Sequence, residues 1–288
     1  MTELPNAPIP ARAPDAPSRV GARVECDGYA IVSDLFDAAT CARLVQQVDE
    51  IEREHAIPFG QNDFEGFRTR RIFNLIARGP LFRALVVDET LLSLVEAILG
   101  EGFLLSGTTS MHIGPGETDQ LLHPDDGMVT LPRPHPATMV TVLCALSDFR
   151  AENGGTRLIP RSHRDPAIMP SPESQTKAIR AEMPAGSILV LNASTFHGGG
   201  ANTTADEHRY GLSIQFVAGW CRQQQNLMLG TPRELVATYP RRLQELIGYS
   251  IFRGVMGHVN REHPLRLLGT DVETKMVWDE IGPGEGDD

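Results

Sequence analysis

The chain contains no apolar run near the roughly 20 residues that a bilayer-crossing helix needs, so nothing in it reads as membrane-embedded. Positive charge is in the minority: 26 Lys and Arg stand against 37 Asp and Glu, a formal net charge of −11. A surface of that sign repels polyphosphate unless its cations are sharply clustered, which argues against nucleic acid as a partner. Cysteine is sparse. Cys26, Cys41, Cys144 and Cys221 are far apart and form no C-x-x-C pair, so neither a zinc knuckle nor a disulfide scaffold is indicated, and a reducing cytoplasm is the expected compartment. Aromatic residues make up only 6% of the chain, and the sequence does not reveal which side chains would line a cavity.

What is present suits one large or two small domains: 288 residues, 41% of them hydrophobic. The opening MTELPNAPIPARAPDAPSR has no apolar stretch of the signal-peptide kind, and its Pro/Ala richness reads as a flexible arm over residues 1–20. GPGEGDD reads as a frayed tail over 281–288. No internal repeat or composition break divides the rest, so a single domain over 21–280 is expected.

Helical spacing occurs at Cys41, Leu44, Val45, Val48 and Ile51 after Asp37, and at Leu91, Leu94, Val95, Ile98 and Leu99 before Gly100. From about residue 103 the texture changes to short β-branched or apolar runs: FLLSGTTSMHI, ATMVTVLCALSDF, GSILVLNAS and RYGLSIQFVAGW. In the last run Tyr210, Leu212, Ile214 and Phe216 alternate with Arg209, Gly211, Ser213 and Gln215, so one face is apolar and the other can offer polar groups to a cavity. A barrel or double-sheet sandwich follows. TPRELVATYPRRLQELIGY has helical character again.

Candidate chemistry begins at Gln120-Leu-Leu-His123-Pro-Asp125 and resumes at Phe196-His197. Two imidazoles and a carboxylate from these segments could take one face of an octahedral Fe(II), leaving three positions for small ligands. An H-x-D pair alone is weak, since nine histidines give roughly half a match by chance, and this chain has two. The second, His163-Arg-Asp165, also imitates a kinase H-R-D, but that loop needs Asn five residues after its Asp, where this chain has Pro170. His163 and Asp165 read as surface-loop residues. A lone strand histidine such as His112 is more often structural than a ligand, Asp126 lacks the H-x-D spacing, and His208 should face away from Arg209.

From about residue 60 to 258 the sequence resembles the phytanoyl-CoA dioxygenase family of iron- and 2-oxoglutarate-dependent oxygenases. The landmarks are PGETDQLLHPDD (115–126), ENGGTRLIPRSHR (152–164), PAGSILVLNASTFHGGGANTTADEHRYGL (184–212) and GWCRQQQN (219–226), in that order and spacing. One departure is Arg161, where many relatives have Gly in an I-P-G-S-H run, which questions the local turn. The resemblance implies a mainly β fold with flanking helices and a double-stranded β-helix (jelly-roll, cupin-like) core over about 103–220. It implies Fe(II) held by His123, Asp125 and His197, with 2-oxoglutarate as cosubstrate and O2 as oxidant. It also implies that Arg209 anchors the distal carboxylate of 2-oxoglutarate, with Gln120 and Thr156 helping by hydrogen bonds. A guanidinium is a planar two-pronged donor suited to that task.

The implied reaction is hydroxylation or another oxidation of an unactivated C–H bond in a small organic substrate, in a natural-product or lipid-like pathway. Halogenating relatives have a small residue at the carboxylate position, so Asp125 disfavours halogenation. Two alternatives stand beside this: a cupin-like metalloenzyme that does not use 2-oxoglutarate, and a catalytically silent jelly-roll binding protein. The resemblance allows a monomer or a homodimer. Arg68, Arg70 and Arg71 could form a local patch for coenzyme A phosphates.

Overall fold

The computed structural model describes residues 7–169 and 171–279; the tail expected over 281–288 and the first six residues of the expected arm lie outside the described residues. The strands in chain order are β1 (Ile9–Pro10), β2 (Tyr29–Ser33), β3 (Thr69–Arg70), β4 (Leu104–Ile113), β5 (Met139–Ala145), β6 (Arg157–Leu158), β7 (Ile179–Arg180), β8 (Ile188–Asn192), β9 (His197–Gly198) and β10 (Arg209–Val217). Four helices precede the long strands: α1 (Ala16–Asp27), α2 (Ala38–Glu54), α3 (Pro80–Val86) and α4 (Glu89–Leu99). A seven-stranded sheet runs β1-β2-β8-β5-β10-β4-β3, and a small sheet runs β7-β6-β9. No helix among the described residues is long and apolar enough to cross a membrane.

The four apolar runs of the sequence become β4, β5, β8 and β10, the inner strands of the large sheet, with helices on one face and a cavity on the other. Strand periodicity sorts the side chains. On β10, Leu212, Ile214 and Phe216 are buried in the large core shared with the helices, and Val140, Val142 and Cys144 of β5 join them there. The alternate residues of β5 and β8, Leu143, Leu189 and Leu191, enter a second core with Phe149, Leu158 and Met183 on the side of the small sheet. The aromatic rings of Phe103 and Phe216 meet edge to face at 5.6 Å.

Helices α2 and α4 form where the spacing predicts them. Each is opened by an Asp whose carboxylate accepts a backbone N–H three residues on: Asp37 from Thr40 at 2.7 Å, and Asp88 from Leu91 at 2.9 Å. The expected helix over 231–249 is broken into Arg233–Val236 and Arg241–Leu246, because Pro240 supplies no N–H to continue the ladder.

The expectation of a flexible arm to residue 20 is corrected for the described residues 7–20. Ile9 and Pro10 pair in parallel with Val32 and Ser33, and α1 begins at Ala16. Ala16, Val20 and Val24 recur at every fourth position, so they share one helix face, and all three are fully buried. Proline richness hid this short apolar stripe.

Strand alternation makes a direct prediction. Phe216→Ala should lose about 3–5 kcal/mol of stability in urea unfolding, whereas Ser213→Ala, on the opposite face of the same strand, should stay within about 0.5 kcal/mol of the parent.

Candidate active site

The site is built by two chain segments running antiparallel. His123 and His197 exchange both backbone hydrogen bonds, at 2.9 and 3.0 Å, while Gln120 N–H donates to Gly199 O at 3.0 Å and Asp125 N–H to Ala193 O at 2.7 Å. This pairing needs Gly198, since a β-carbon there would lie 3.0 Å from Gln120 O and 3.2 Å from Leu121 O. In this register His123 Nε2 stands 3.7 Å from one Asp125 oxygen and His197 Nε2 stands 3.6 Å from the other. Ligand atoms of all three residues lie within 4.8 Å of one another.

Both imidazoles are fixed at the far nitrogen. His123 Nδ1 meets Leu121 O at 2.9 Å and His197 Nδ1 meets Thr195 O at 3.0 Å. A carbonyl can only accept, so Nδ1 carries the proton and the Nε2 lone pair faces the shared space. Burial, and next the neighbouring His197, push the His123 pKa down to about 4, so its imidazole is neutral at pH 7. Thr141 donates its hydroxyl to Asp125 and sets the carboxylate's rotation. Two imidazole nitrogens and one oriented carboxylate are a donor set that could hold a divalent metal ion on one face.

Arg209 opens β10 on the cavity face and is only 2% exposed. Its Nε and Nη2 donate to Gly154 O at 3.2 and 2.8 Å, and its Cζ lies 4.3 Å from the centre of the Phe149 ring. Nη1 is buried without a hydrogen-bond partner. Gly211 leaves room for this stack, because a β-carbon there would stand 2.8 Å from Phe149 Cζ. Burial, and then the nearby Arg71, lower the Arg209 pKa to about 9, which still leaves it charged at pH 7. A desolvated cation with a free donor requires an anion.

Arg209, Thr156, Gln120 and the three-residue cluster all line one cavity of about 670 Å3. The floor is the inner face of β4, β10 and β5, where the register sets Arg209 beside Ile113, Ser213 between Thr109 and Leu143, and Gln215 between Gly107 and Thr141. Thr156 is buried. The Gln120 amide accepts from Gly199 N–H at 3.0 Å and donates one N–H to Phe64 O at 2.8 Å, which leaves its second N–H uncommitted.

Two contributors were not singled out as site residues from sequence. Arg71 enters the same cavity and acts electrostatically on both Arg209 and His123. Phe64 packs edge-on against the His123 ring at 4.8 Å. The period of two along β3 would have separated Arg70 from Arg71, had the strand been recognisable at two residues. The supposed arginine patch does not exist: Arg68 is exposed, Arg71 faces the cavity, and Arg70 is on the other side, 3.6 Å from Glu52.

The remaining candidates are elsewhere. His163 is buried, not on a surface loop, and its Nε2 meets Glu25 O of α1 at 2.9 Å, while Asp165 is exposed. The buried Asp126 accepts the Ser194 hydroxyl and lies 3.7 Å from His135. On the sheet's other face His112 Nδ1 meets Glu52 at 2.8 Å, which ties α2 to β4, and its Nε2 meets His208, just before β10, at 2.7 Å. Arg161 has φ 64, the left-handed conformation that explains glycine at this turn in relatives.

Solved structures of related shape include the non-heme alpha ketoglutarate dependent epimerase SnoN from nogalamycin biosynthesis, at a TM-score of 0.59 and 22% identity over 71% of this chain and 84% of that one. HygX from Streptomyces hygroscopicus, solved with nickel, 2-oxoglutarate and hygromycin B, matches at a TM-score of 0.59 and 17% identity over 71% of this chain and 88% of that one. At such identities the likeness establishes the fold, a cupin-like double-stranded β-helix as the family resemblance implies. Among curated proteins, the dioxygenase aneA of Aspergillus aculeatus is 34% identical over 191 residues, 63% of this chain and 64% of that protein, just under two thirds of its length. The dioxygenase swnH2 of Arthroderma benhamiae is 28% identical over 276 residues, 88% of this chain and 87% of that protein. The family model for phytanoyl-CoA dioxygenase (PhyH) matches residues 24–210, well over half of the sequence, and the chain therefore belongs to the phytanoyl-CoA dioxygenase family.

Proposed function

We propose that this protein is an Fe(II)- and 2-oxoglutarate-dependent dioxygenase that oxidises an unactivated C–H bond of a small organic molecule. The observation that carries the reading is the pairing, in one cavity, of a His-Asp-His donor set with a buried guanidinium whose Nη1 has no partner. The donor set suits a ferrous ion and the free guanidinium edge suits a carboxylate.

His123, Asp125 and His197 would hold the iron. Arg209 would grip the far carboxylate of 2-oxoglutarate, and Arg71 would add a second positive charge opposite a dianion. Thr156 and the free N–H of Gln120 would donate hydrogen bonds to the same diacid. When bound, ferrous iron would supply activation of O2, the oxidant, while 2-oxoglutarate gives up two electrons as it is cleaved to succinate and CO2 and the substrate C–H bond gives up the other two. The rest of the task belongs to this chain. Leu121 O, Thr195 O and Thr141 keep the ligand atoms aimed at one point, so little reorganisation is needed when the metal enters. Phe64 shields the His123 edge from water, and Gln120 holds the Phe64 backbone in place. Asp125 fills the third protein position, which leaves no vacancy for a halide there and favours oxygen transfer over halogenation.

Chelation with EDTA should abolish 2-oxoglutarate turnover, and Fe(II) should restore it where Zn(II) does not; turnover that survives complete chelation would rule out the metal role. His123→Ala and Asp125→Ala should each lose tight Fe(II) binding in anaerobic titration while keeping the parent's circular dichroism. Arg209→Ala should weaken 2-oxoglutarate binding by about 2–4 kcal/mol, roughly 30- to 1,000-fold, with Fe(II) binding retained. If Arg209→Ala instead kept full turnover with no 2-oxoglutarate consumed, the protein would be a metalloenzyme independent of that cosubstrate.

A further inference from the structure

Beyond the metal end, the cavity opens to solvent along a wall of different character. Phe64, Phe73 and Met128 line it and are 52%, 54% and 64% exposed, so large apolar side chains stand uncovered at the entrance. Uncovered apolar surface around a concave site marks where a ligand is received. Two amides, those of Gln215 and Gln225, line the same cavity. Gln215 is paired across the sheet with Gly107, which has no side chain to cover it. A β-carbon at 107 would be 3.4 Å from Gln215 Oε1 and 3.9 Å from Gln225 Oε1, so the two amides share one uncluttered patch of floor. Neither side-chain amide has a hydrogen bond to another described residue, and each is half-buried in the cavity. Uncommitted amides in a mostly apolar wall are what orients and selects a ligand there.

Charge on this wall points the same way. Apart from the metal trio, the charged side chains that line the cavity are Glu65, Arg71 and Arg209, and both arginines act at the metal end. A coenzyme A thioester would bring several phosphate charges to a cavity whose remaining lining charge is the Glu65 carboxylate, on a protein of net charge −11. Arg70 is held at Glu52, and neither it nor the exposed Arg68 lines the cavity.

We infer that the substrate is a compact, uncharged, largely apolar molecule whose carbonyl or hydroxyl group is held by Gln215 and Gln225, and that acyl-coenzyme A is not accepted. The inference rests on the oxygenase reading for the reaction, but its contacts are those of the outer wall alone. A volume of about 670 Å3, shared with the cosubstrate, lies within the roughly 300–1,000 Å3 typical of sites that enclose small molecules. Gln215 and Gln225 are thus specificity residues: they choose the molecule and set which of its C–H bonds is turned to the metal end.

The test measures binding to the Fe(II)- and 2-oxoglutarate-loaded full chain without O2, by calorimetry and ligand-observed NMR. The probes are palmitoyl-CoA and three uncharged polycycles: progesterone, testosterone and cyclo(L-Trp-L-Pro). At least one uncharged probe should bind saturably, palmitoyl-CoA should bind at least tenfold more weakly than the tightest of them, and Gln215→Leu or Gln225→Leu should each weaken that probe about tenfold, the loss of one hydrogen bond. Unchanged melting temperatures of both variants separate lost contacts from lost folding. Palmitoyl-CoA binding as tightly as any uncharged probe, no saturable binding by the three polycycles, or indifference to both substitutions would each overturn the inference. Fe(II) and 2-oxoglutarate affinities are recorded first without any probe; their absence would sink the oxygenase reading separately from the result on the outer wall.

Discussion

A pair of backbone hydrogen bonds between His123 and His197 is the constraint on which the site depends. Each residue gives its N–H to the other, so two imidazoles from distant parts of the chain are held side by side by the backbone. Asp125 follows two residues later, where the chain turns and its N–H is held by Ala193 O, so its carboxylate stands beside both imidazoles. The carbonyls of Leu121 and Thr195 then settle which ring nitrogen is protonated. Preorganisation of this kind lowers the free-energy cost of assembling three ligands, because the backbone has already been ordered by folding.

The second organising feature is the division of labour along β10. One face puts Leu212, Ile214 and Phe216 into a well-packed core, and that packing makes the strand rigid. The other face carries Arg209, Ser213 and Gln215 into the cavity on the same rigid backbone. A guanidinium buried this deeply is costly unless an anion meets it, and Arg209 has only a carbonyl, an aromatic face and a free Nη1. The fold therefore holds an unneutralised charge in the cavity that the His123, Asp125 and His197 trio also lines, with Arg71 adding to it. Such tension is tolerable in a protein stabilised by an extensive core, and it is relieved by a ligand of opposite charge.

The cavity thus has two chemically distinct ends. The inner end is cationic and ligand-rich, and the outer end is apolar with isolated amides. Keeping both arginines inward prevents the outer wall from attracting anions in general. On the opposite face α2 is joined to the sheet by the Glu52–His112 contact, which continues to His208.

Residue identity and period carried much of this in the linear chain. The alternation in RYGLSIQFVAGW is intrinsic to a strand with one face in a core, so the direction of Arg209 could be read from its neighbours; the spacing of Cys41 to Ile51 and of Leu91 to Leu99 likewise located α2 and α4 with their Asp caps. The H-x-D pair and Phe196-His197 were legible as candidates because metal chemistry demands those side chains. What the chain could not disclose depends on contacts between segments far apart. Proline richness concealed the stripe Ile9, Ala16, Val20 and Val24, whose burial exists only once the sheet and α4 are beside it. His163 is buried because α1 offers it the Glu25 carbonyl. Arg68, Arg70 and Arg71, close in sequence, part company because Arg70, in β3, is held at Glu52 while Arg71, just past the strand, turns into the cavity, and only the pairing of β3 with β4 says which face is which. Local pattern sets which way a side chain points relative to its own strand; what it points at is a property of the packed whole.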